Sequence, residues 1–160
     1  MTERELILEA YAARQKPKRR RQPETDILGA CLDLCRLHRA VAWAERLNSG
    51  AGMVRGQWVE WGWPGAPDII GQLRAPGGAK PNDFHSPMAG RMFLCEVKTR
   101  RGALSGDQRK VLVHAGDEGA LCCVARDVLA LQRLLDRYWA GEYPHGGYVF
   151  DLKRRRSSSP

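Results

Sequence analysis

The residues of this 160-residue chain that are best suited to chemistry lie in the short apolar segment Phe93–Lys98. Side chains alternate along a strand, so Glu96 and Lys98 share one face of this segment. A carboxylate and an ammonium in apolar surroundings are usually paired, functional or both. For an isolated Glu-x-Lys, a cross-strand salt bridge at a strand end is the more frequent explanation.

A second carboxylate, Asp68, favours a functional explanation over a structural salt bridge. It follows the rigid turn Pro64–Pro67 and opens the apolar segment Ile69–Leu73. If the two strands are neighbours, Asp68 and Glu96 converge, and carboxylates ~4 Å apart repel by ~4 kcal/mol at an effective dielectric near 20. Keeping both ionised favours a cation between them, and oxygen ligands select a hard ion such as Mg²⁺. Taken alone, Asp68 is equally well explained as a turn residue after proline.

The elements that must position these groups follow from apolar periodicity and turn residues. The pattern predicts a helix over 24–39, a helix starting at Ser105 and a helix capped by Asp127. It predicts strands over 41–47, 57–61, 69–73, 92–98 and 121–125. The order α-β-β-β-β-α-β-α indicates an α/β domain with a mixed central sheet flanked by helices.

The formal net charge of +8 is confined to the two ends of the chain. Residues 1–21 carry +4, and the run Lys153–Arg156 carries another +4. We therefore expect a basic flexible arm over 1–22, a folded domain over 23–142 with a mobile loop at 75–90, and a C-terminal segment over 143–160 with a basic tail. Cationic arms suit a polyanion such as nucleic acid, although solvated tails that aid solubility are an alternative.

Composition excludes several classes of protein. No apolar run approaches the ~18 residues of a membrane span, and the N-terminus lacks the layout of a secretory signal. Five cysteines without such a signal indicate a reducing compartment, the cytoplasm. No Cys-x-x-Cys pair is present, so small buried hydrophobes explain the cysteines better than a zinc site. Core or hairpin packing is the favoured interpretation of Trp58, Trp61 and Trp63, with base stacking as the alternative.

Several of these motifs together resemble one known family. They are Pro64–Ile69, Phe93–Thr99, Leu104–Gln108, and Gly119 before an apolar strand. In this combination they are similar to the VRR-NUC family of virus-type replication-repair nucleases. That family belongs to the PD-(D/E)XK nuclease superfamily, which has the restriction-endonuclease-like fold. The resemblance runs from about Glu24 to Leu135, with a longer loop at 75–90, and it does not include the tails.

The resemblance implies a role for each matching residue. Asp68 and Glu96 would bind Mg²⁺, or Mn²⁺, with the Val97 backbone carbonyl as a further ligand. Lys98 would orient and polarise the attacking water, and Gln108 would support Lys98 or that water.

Gln108 and Glu24 each have a simpler structural explanation as well. Gln108 completes a capping box with Ser105. Glu24, matched to the family's first-helix glutamate that holds the metal's water shell, also suits a helix N-terminus, and Asp26 is its less favoured substitute.

The function implied by the resemblance is metal-dependent endonucleolytic hydrolysis of DNA phosphodiester bonds. Stand-alone members resemble Holliday-junction resolvases, which implies a homodimer acting on branched or structured DNA in a bacterial or phage-infected cell, in repair or recombination. A nickase or restriction-like endonuclease on duplex or single-stranded DNA is the alternative within the enzyme class. A catalytically silent nucleic-acid-binding protein is the alternative outside it, but a binding module has no need to gather so many charges.

Overall fold

Three apolar periodic segments form helices in the computed structural model of the chain. The structure describes residues 23–78, 90–143 and 149–152. The helices are α1 (Glu24–Leu37), α2 (Gly106–Asp117) and α3 (Val128–Trp139). The Ser105 hydroxyl accepts a hydrogen bond from the Gln108 N–H, and the Asp127 carboxylate accepts one from the Ala130 N–H. Both helices therefore begin at the capping residues that the sequence predicts.

Seven strands accompany the helices in the described ranges. They are β1 (Val41–Arg46), β2 (Gly50–Val54), β3 (Gln57–Trp61), β4 (Ile69–Leu73), β5 (Met92–Val97), β6 (Leu121–Ala125) and β7 (Val149–Leu152). Five of them form one sheet in the order β1-β4-β5-β6-β7, while β2 and β3 form a separate hairpin. The β1–β4 and β4–β5 pairs are antiparallel, and the β5–β6 and β6–β7 pairs are parallel. The general class, α/β with a mixed sheet, is confirmed.

Two strands were not predicted. β2 contains two glycines and carries little strand signal of its own, and it forms because it pairs with β3 along its whole length. β7 has only four residues and pairs with β6 through parallel ladder bonds. β7 lies in the C-terminal segment over 143–160, which we expected to follow the folded domain, so the sheet of that domain extends past residue 142 to Leu152.

The two faces of the sheet are covered by different helices. α1 and α3 pack on one face, and α2 packs on the other. Phe93, Cys95 and Val97 belong to the core under α1 and α3, whereas Leu94 belongs to the core under α2. The alternation predicted for β5 is therefore present, and it turns Glu96 towards α2.

All five cysteines are buried and free, as the sequence predicts. Four of them lie in the core under α1 and α3, and the fifth lies under α2. Burial raises the pKa of the Cys31 and Cys122 thiols to about 12. At neutral pH these thiols are protonated, and they pack as small apolar side chains.

The register places several chain segments at one edge of the sheet. Ile69 pairs with Cys95, so the residue before β4 comes opposite the residue after Cys95. β5 and β6 are parallel, so the segments that follow them leave at the same edge. The charged residues that lie at this edge are Asp68, Glu96, Lys98 and Arg126.

The remaining expectations about chain organisation concern residues at the ends and in one loop. The basic arm (1–22), the basic tail (153–160) and most of the predicted loop (79–89) lie outside the described residues. Within the described ranges, no helix is both long and apolar enough to cross a lipid bilayer.

Candidate active site

Asp68 is held across the junction of β4 and β5. Its Oδ2 accepts a hydrogen bond from the backbone N–H of Val97 at 2.8 Å. Its own carbonyl accepts one from the Leu47 N–H at 2.9 Å, which ties it to the end of β1. The structure thus brings Asp68 beside Glu96, the preceding residue on β5. A ligand role for the Val97 carbonyl stays a prediction.

The turn before Asp68 is clamped against α2. Gly65 has φ +79°, a backbone conformation that side chains other than glycine rarely adopt. A Cβ at this position would lie 2.5 Å from the carbonyl carbon and oxygen of Asp107 and 2.8 Å from the Gln108 nitrogen. Only glycine allows this approach, and the approach fixes the distance between Asp68 and the first turn of α2.

Glu96 is the most buried charged side chain of the site, with 1% of it exposed. Its Oε1 accepts hydrogen bonds from Lys98 Nζ at 2.6 Å and from Gln108 Nε2 at 2.5 Å. Its Oε2 is buried and has no hydrogen-bond partner among the described residues. Oε1 therefore accepts two hydrogen bonds, whereas Oε2, beside Asp68, accepts none from the described residues.

The protonation of Glu96 reflects this arrangement. Burial raises its pKa to about 7; the Lys98 hydrogen bond opposes the shift, and the charge of Asp68 adds to it. Two ionised carboxylates are both acceptors, so Asp68 and Glu96 can share a hydrogen bond only when one of them holds a proton. The pair needs either a proton or a cation at neutral pH.

Lys98 lies between the two glutamates of the site. Its Nζ is 2.6 Å from Glu96 Oε1 and 3.8 Å from Glu24 Oε1, and 13% of its side chain is exposed. Burial by itself lowers the pKa of Lys98, but the hydrogen bond and charge of Glu96, with the charges of Glu24 and Asp68, outweigh burial and raise it. Lys98 therefore keeps its proton at neutral pH.

Gln108 serves two partners at once. Its Oε1 accepts a hydrogen bond from the Ser105 N–H at 2.9 Å, which completes the predicted capping box. Because the oxygen is used there, the amide nitrogen points the other way and donates to Glu96. The capping explanation is confirmed, and the same side chain also contacts Glu96, while its support of Lys98 or of an attacking water stays a prediction. The contact is with Glu96 rather than Lys98, so Gln108 supports Lys98 only through their shared oxygen.

Of the two acidic residues in the first turn of α1, the structure brings Glu24 to the site. Its Oε2 accepts a hydrogen bond from the Thr99 N–H at 3.3 Å, and its Oε1 faces Lys98. Asp26 is exposed. Glu24 lies at the solvent-exposed rim of the site, where its carboxylate can bind water as well as protein groups.

The side chains of this site offer oxygen donors to a divalent ion. Among the residues that the structure describes, no three His, Cys, Asp or Glu side chains form a group that could hold a metal. Asp68 and Glu96 provide two carboxylates, and the orphaned Oε2 of Glu96 is a buried oxygen that protein groups leave unsatisfied. Hard-ion sites with one or two carboxylates and several waters are typical of Mg²⁺. The residues fit such an ion.

Two features of this region differ from expectation or were missed. The core interpretation is wrong for Trp58 and Trp63, which are 66% and 45% exposed, whereas Trp58 does lie in a hairpin, opposite Met53 in β2–β3. The side chain of Trp61 lies outside the described part of the chain. Arg126 was not predicted as part of this region, although an arginine directly after the apolar strand β6 is a signal of a group at the same sheet edge.

The chain was compared with family models, with curated proteins and with solved structures, and none of the three comparisons found a match.

Proposed function

We propose that this protein is a Mg²⁺-dependent DNA endonuclease of the restriction-endonuclease-like fold. The proposal rests on the resemblance of its motifs to VRR-NUC nucleases and on the way the matching side chains gather at one sheet edge. Asp68, Glu96, Lys98, Gln108 and Glu24 come from four separate chain segments. Each of them contacts at least one other group of this set or the backbone between them.

One observation carries the proposal: the buried Oε2 of Glu96 accepts no hydrogen bond from any described residue, although Oε1 of the same carboxylate accepts two. Leaving a buried carboxylate oxygen unsatisfied costs about 1–3 kcal/mol or more. A salt bridge with Lys98 alone does not account for this oxygen beside a second carboxylate, which needs a proton or a cation at neutral pH. A cation held between Asp68 and Glu96 removes both the orphaned oxygen and the repulsion.

When bound, Mg²⁺ lowers the pKa of a coordinated water and neutralises charge on the scissile phosphate. The chain's own residues supply the rest. Asp68 and Glu96 would hold the ion, with the Val97 carbonyl as a further ligand. Lys98 remains protonated because its pKa is raised, so it acts as a fixed cation that orients water and stabilises negative charge rather than as a general base.

Gln108 and Glu24 complete the arrangement. Gln108 donates to Glu96 Oε1, which helps to direct the free Oε2 towards Asp68. The backbone amide of Thr99 anchors Glu24 at the rim, where its carboxylate can order water that approaches Lys98. Neither residue adds a positive charge that would compete with the ion.

The proposed substrate is branched or structured DNA, cut by a homodimer. One site of this kind cuts one strand, so a symmetric cut at a four-way junction requires two copies related by a two-fold axis. The basic arms over 1–22 and 153–160 would add affinity without sequence specificity. Two other functions are kept as outcomes of the test: a nickase or restriction-like endonuclease on duplex or single strands, and a silent nucleic-acid-binding protein.

The test compares cleavage of a four-way junction, a flap, a linear duplex and a single strand with Mg²⁺, with Mn²⁺ and with EDTA. Wild type is compared with Glu96→Gln and with Arg133→Gln, an exposed substitution on α3 that serves as a control. We expect metal-dependent cleavage of the junction that is lost in Glu96→Gln and retained in Arg133→Gln. Cleavage that persists in Glu96→Gln would remove the mechanism, and binding without cleavage of any substrate would favour the silent binder.

A further inference from the structure

The residues directly after Lys98 form a tight turn. The Gly102 N–H donates to the Thr99 carbonyl at 3.0 Å, which closes a β-turn with Arg100 and Arg101 at its two central positions. Both arginines are exposed. The turn therefore presents two adjacent guanidinium groups to solvent.

A buried guanidinium fixes this turn to the sheet. Arg126, whose side chain is only 9% exposed, donates from Nη1 to the carbonyls of Thr99 and Gly102, both at 2.7 Å. Its Nε donates to Asp151 on β7, also at 2.7 Å. Burying a charge is costly unless it is paired and hydrogen-bonded, and here both conditions are met. The turn is held at both ends rather than left as a free loop.

The turn also touches the candidate active site. The Thr99 N–H donates to Glu24, the carboxylate that faces Lys98. A Cβ on Gly102 would lie 3.3 Å from both Cβ and Cδ of Lys98, so the turn packs directly on the lysine stem. The same stretch of backbone therefore positions Lys98 and the two arginines that follow it.

Arg100 and Arg101 have no partner in the part of the chain that the structure describes. Within the described ranges, neither Arg100 nor Arg101 takes part in a hydrogen bond or an ion pair. A guanidinium binds phosphate oxygens through two parallel hydrogen bonds, and a rigid turn reduces the entropy lost on binding. The arrangement suits an anionic polymer that continues past the site.

We propose that the turn Thr99–Gly102 is a second phosphate-binding site, where Arg100 and Arg101 bind the nucleic-acid backbone beside the phosphate that is cleaved. The inference rests on the proposed function in placing the turn beside the cleaved phosphate, and phosphate binding by the turn can be measured without cleavage. Arg126 is a positioning residue in this account because it touches the turn and not the substrate. The contact carries no base sequence information.

The experiment measures binding of fluorescein-labelled duplex and four-way-junction DNA in Ca²⁺, over a series of salt concentrations, by fluorescence anisotropy. Arg100→Gln/Arg101→Gln is compared with wild type and with Arg39→Gln/Arg133→Gln, which removes the same number of charges elsewhere. Arg39 precedes β1, near the end of that strand that is distant from Asp68, and Arg133 is on α3. Thermal unfolding of each variant shows that it is folded.

Two lost phosphate contacts reduce the slope of log K against log salt by about 1–2. The ratio of the DNA affinity of wild type to that of Arg100→Gln/Arg101→Gln should then fall about tenfold between about 50 and 200 mM salt. With Mg²⁺, we expect KM to rise and kcat to change little, because backbone binding contributes equally to ground and transition states.

Unchanged affinity and slope in Arg100→Gln/Arg101→Gln, or a loss no larger than in Arg39→Gln/Arg133→Gln, would overturn the inference while leaving the proposed nuclease intact. If wild type binds DNA but cuts no substrate, the nuclease proposal fails, and the binding comparison still decides the role of the turn. A fall in kcat with unchanged KM and binding would also overturn it, since the arginines would then act on Lys98 and not on the backbone.

Discussion

Gln108 links the N-terminus of α2 to the buried carboxylate of Glu96. Its carbonyl oxygen closes the capping box with Ser105, and its amide nitrogen lies 2.5 Å from Glu96 Oε1. A helix cap and a site contact are thus made by the two ends of one amide group. The stability of α2 and the orientation of Glu96 are coupled through this group.

The two roles can be separated by substitution. Gln108→Glu keeps an oxygen for the Ser105 N–H but turns a carboxylate towards Glu96, so we expect a loss of nuclease activity of tenfold or more with the helix intact. Ser105→Ala removes the hydroxyl that caps α2, costs about 0.5–2 kcal/mol of stability and retains activity. Urea unfolding and junction cleavage of both variants check this. Equal loss of activity in the two variants would contradict it.

The raised pKa of Glu96 makes the metal-free protein sensitive to pH. The folded carboxyl titrates near 7 and the unfolded one near 4.3, so the folded state binds more protons between these values. Stability therefore falls as pH rises through this window. Glu96→Gln removes the titration and offers an amide N–H₂ to Asp68, so it should be more stable than wild type at pH 8 by on the order of 1–3 kcal/mol.

Urea unfolding in EDTA from pH 5 to 8 measures this difference. The two proteins should converge towards pH 5, where wild-type Glu96 is mostly protonated in the folded state. Parallel stability curves across this range would show that Glu96 is not the titrating group.

Removal of one charge from the carboxylate pair should abolish ion binding without unfolding the chain. Asp68→Asn keeps an oxygen that can accept the Val97 N–H, so we expect a folded protein. Saturating Mg²⁺ at about 100 times Kd would stabilise wild type by about 2.7 kcal/mol and Asp68→Asn by none of this amount. Differential scanning calorimetry with Mg²⁺ and with EDTA makes the comparison, and an equal rise in Tm in both proteins would contradict the assignment.

The close approach of Gly65 to α2 predicts an unusually costly glycine substitution. Gly65→Ala places a Cβ 2.5 Å from the Asp107 backbone at a positive φ, so we expect a loss of at least ~2 kcal/mol and a displaced Asp68. Gly29→Ala is the matched control. Gly29 lies in the middle of α1 with open space around it, and alanine there should stabilise the protein by up to ~1 kcal/mol. Chemical unfolding of both variants tests the pair.

Local sequence alone determined which side chains share a face. Backbone geometry makes side chains alternate along a strand, so Glu96 and Lys98 had to point the same way wherever β5 lay in the fold. The caps at Ser105 and Asp127 were equally readable because a capping residue contacts the amide only three residues later. These relationships depend on neighbours in the chain.

Tertiary structure alone decided which groups meet across the sheet. The register of β4 on β5 places the Asp68 carboxylate on the Val97 amide, and the long connection between these two strands does not fix that register as a tight hairpin turn would. β2 and β7 exist because of the strands they pair with, and Arg126 reaches the turn after Lys98 because β5 and β6 are parallel neighbours. Contacts between residues far apart in sequence depend on packing of the whole sheet, which is why the orphaned oxygen of Glu96 could be found only in three dimensions.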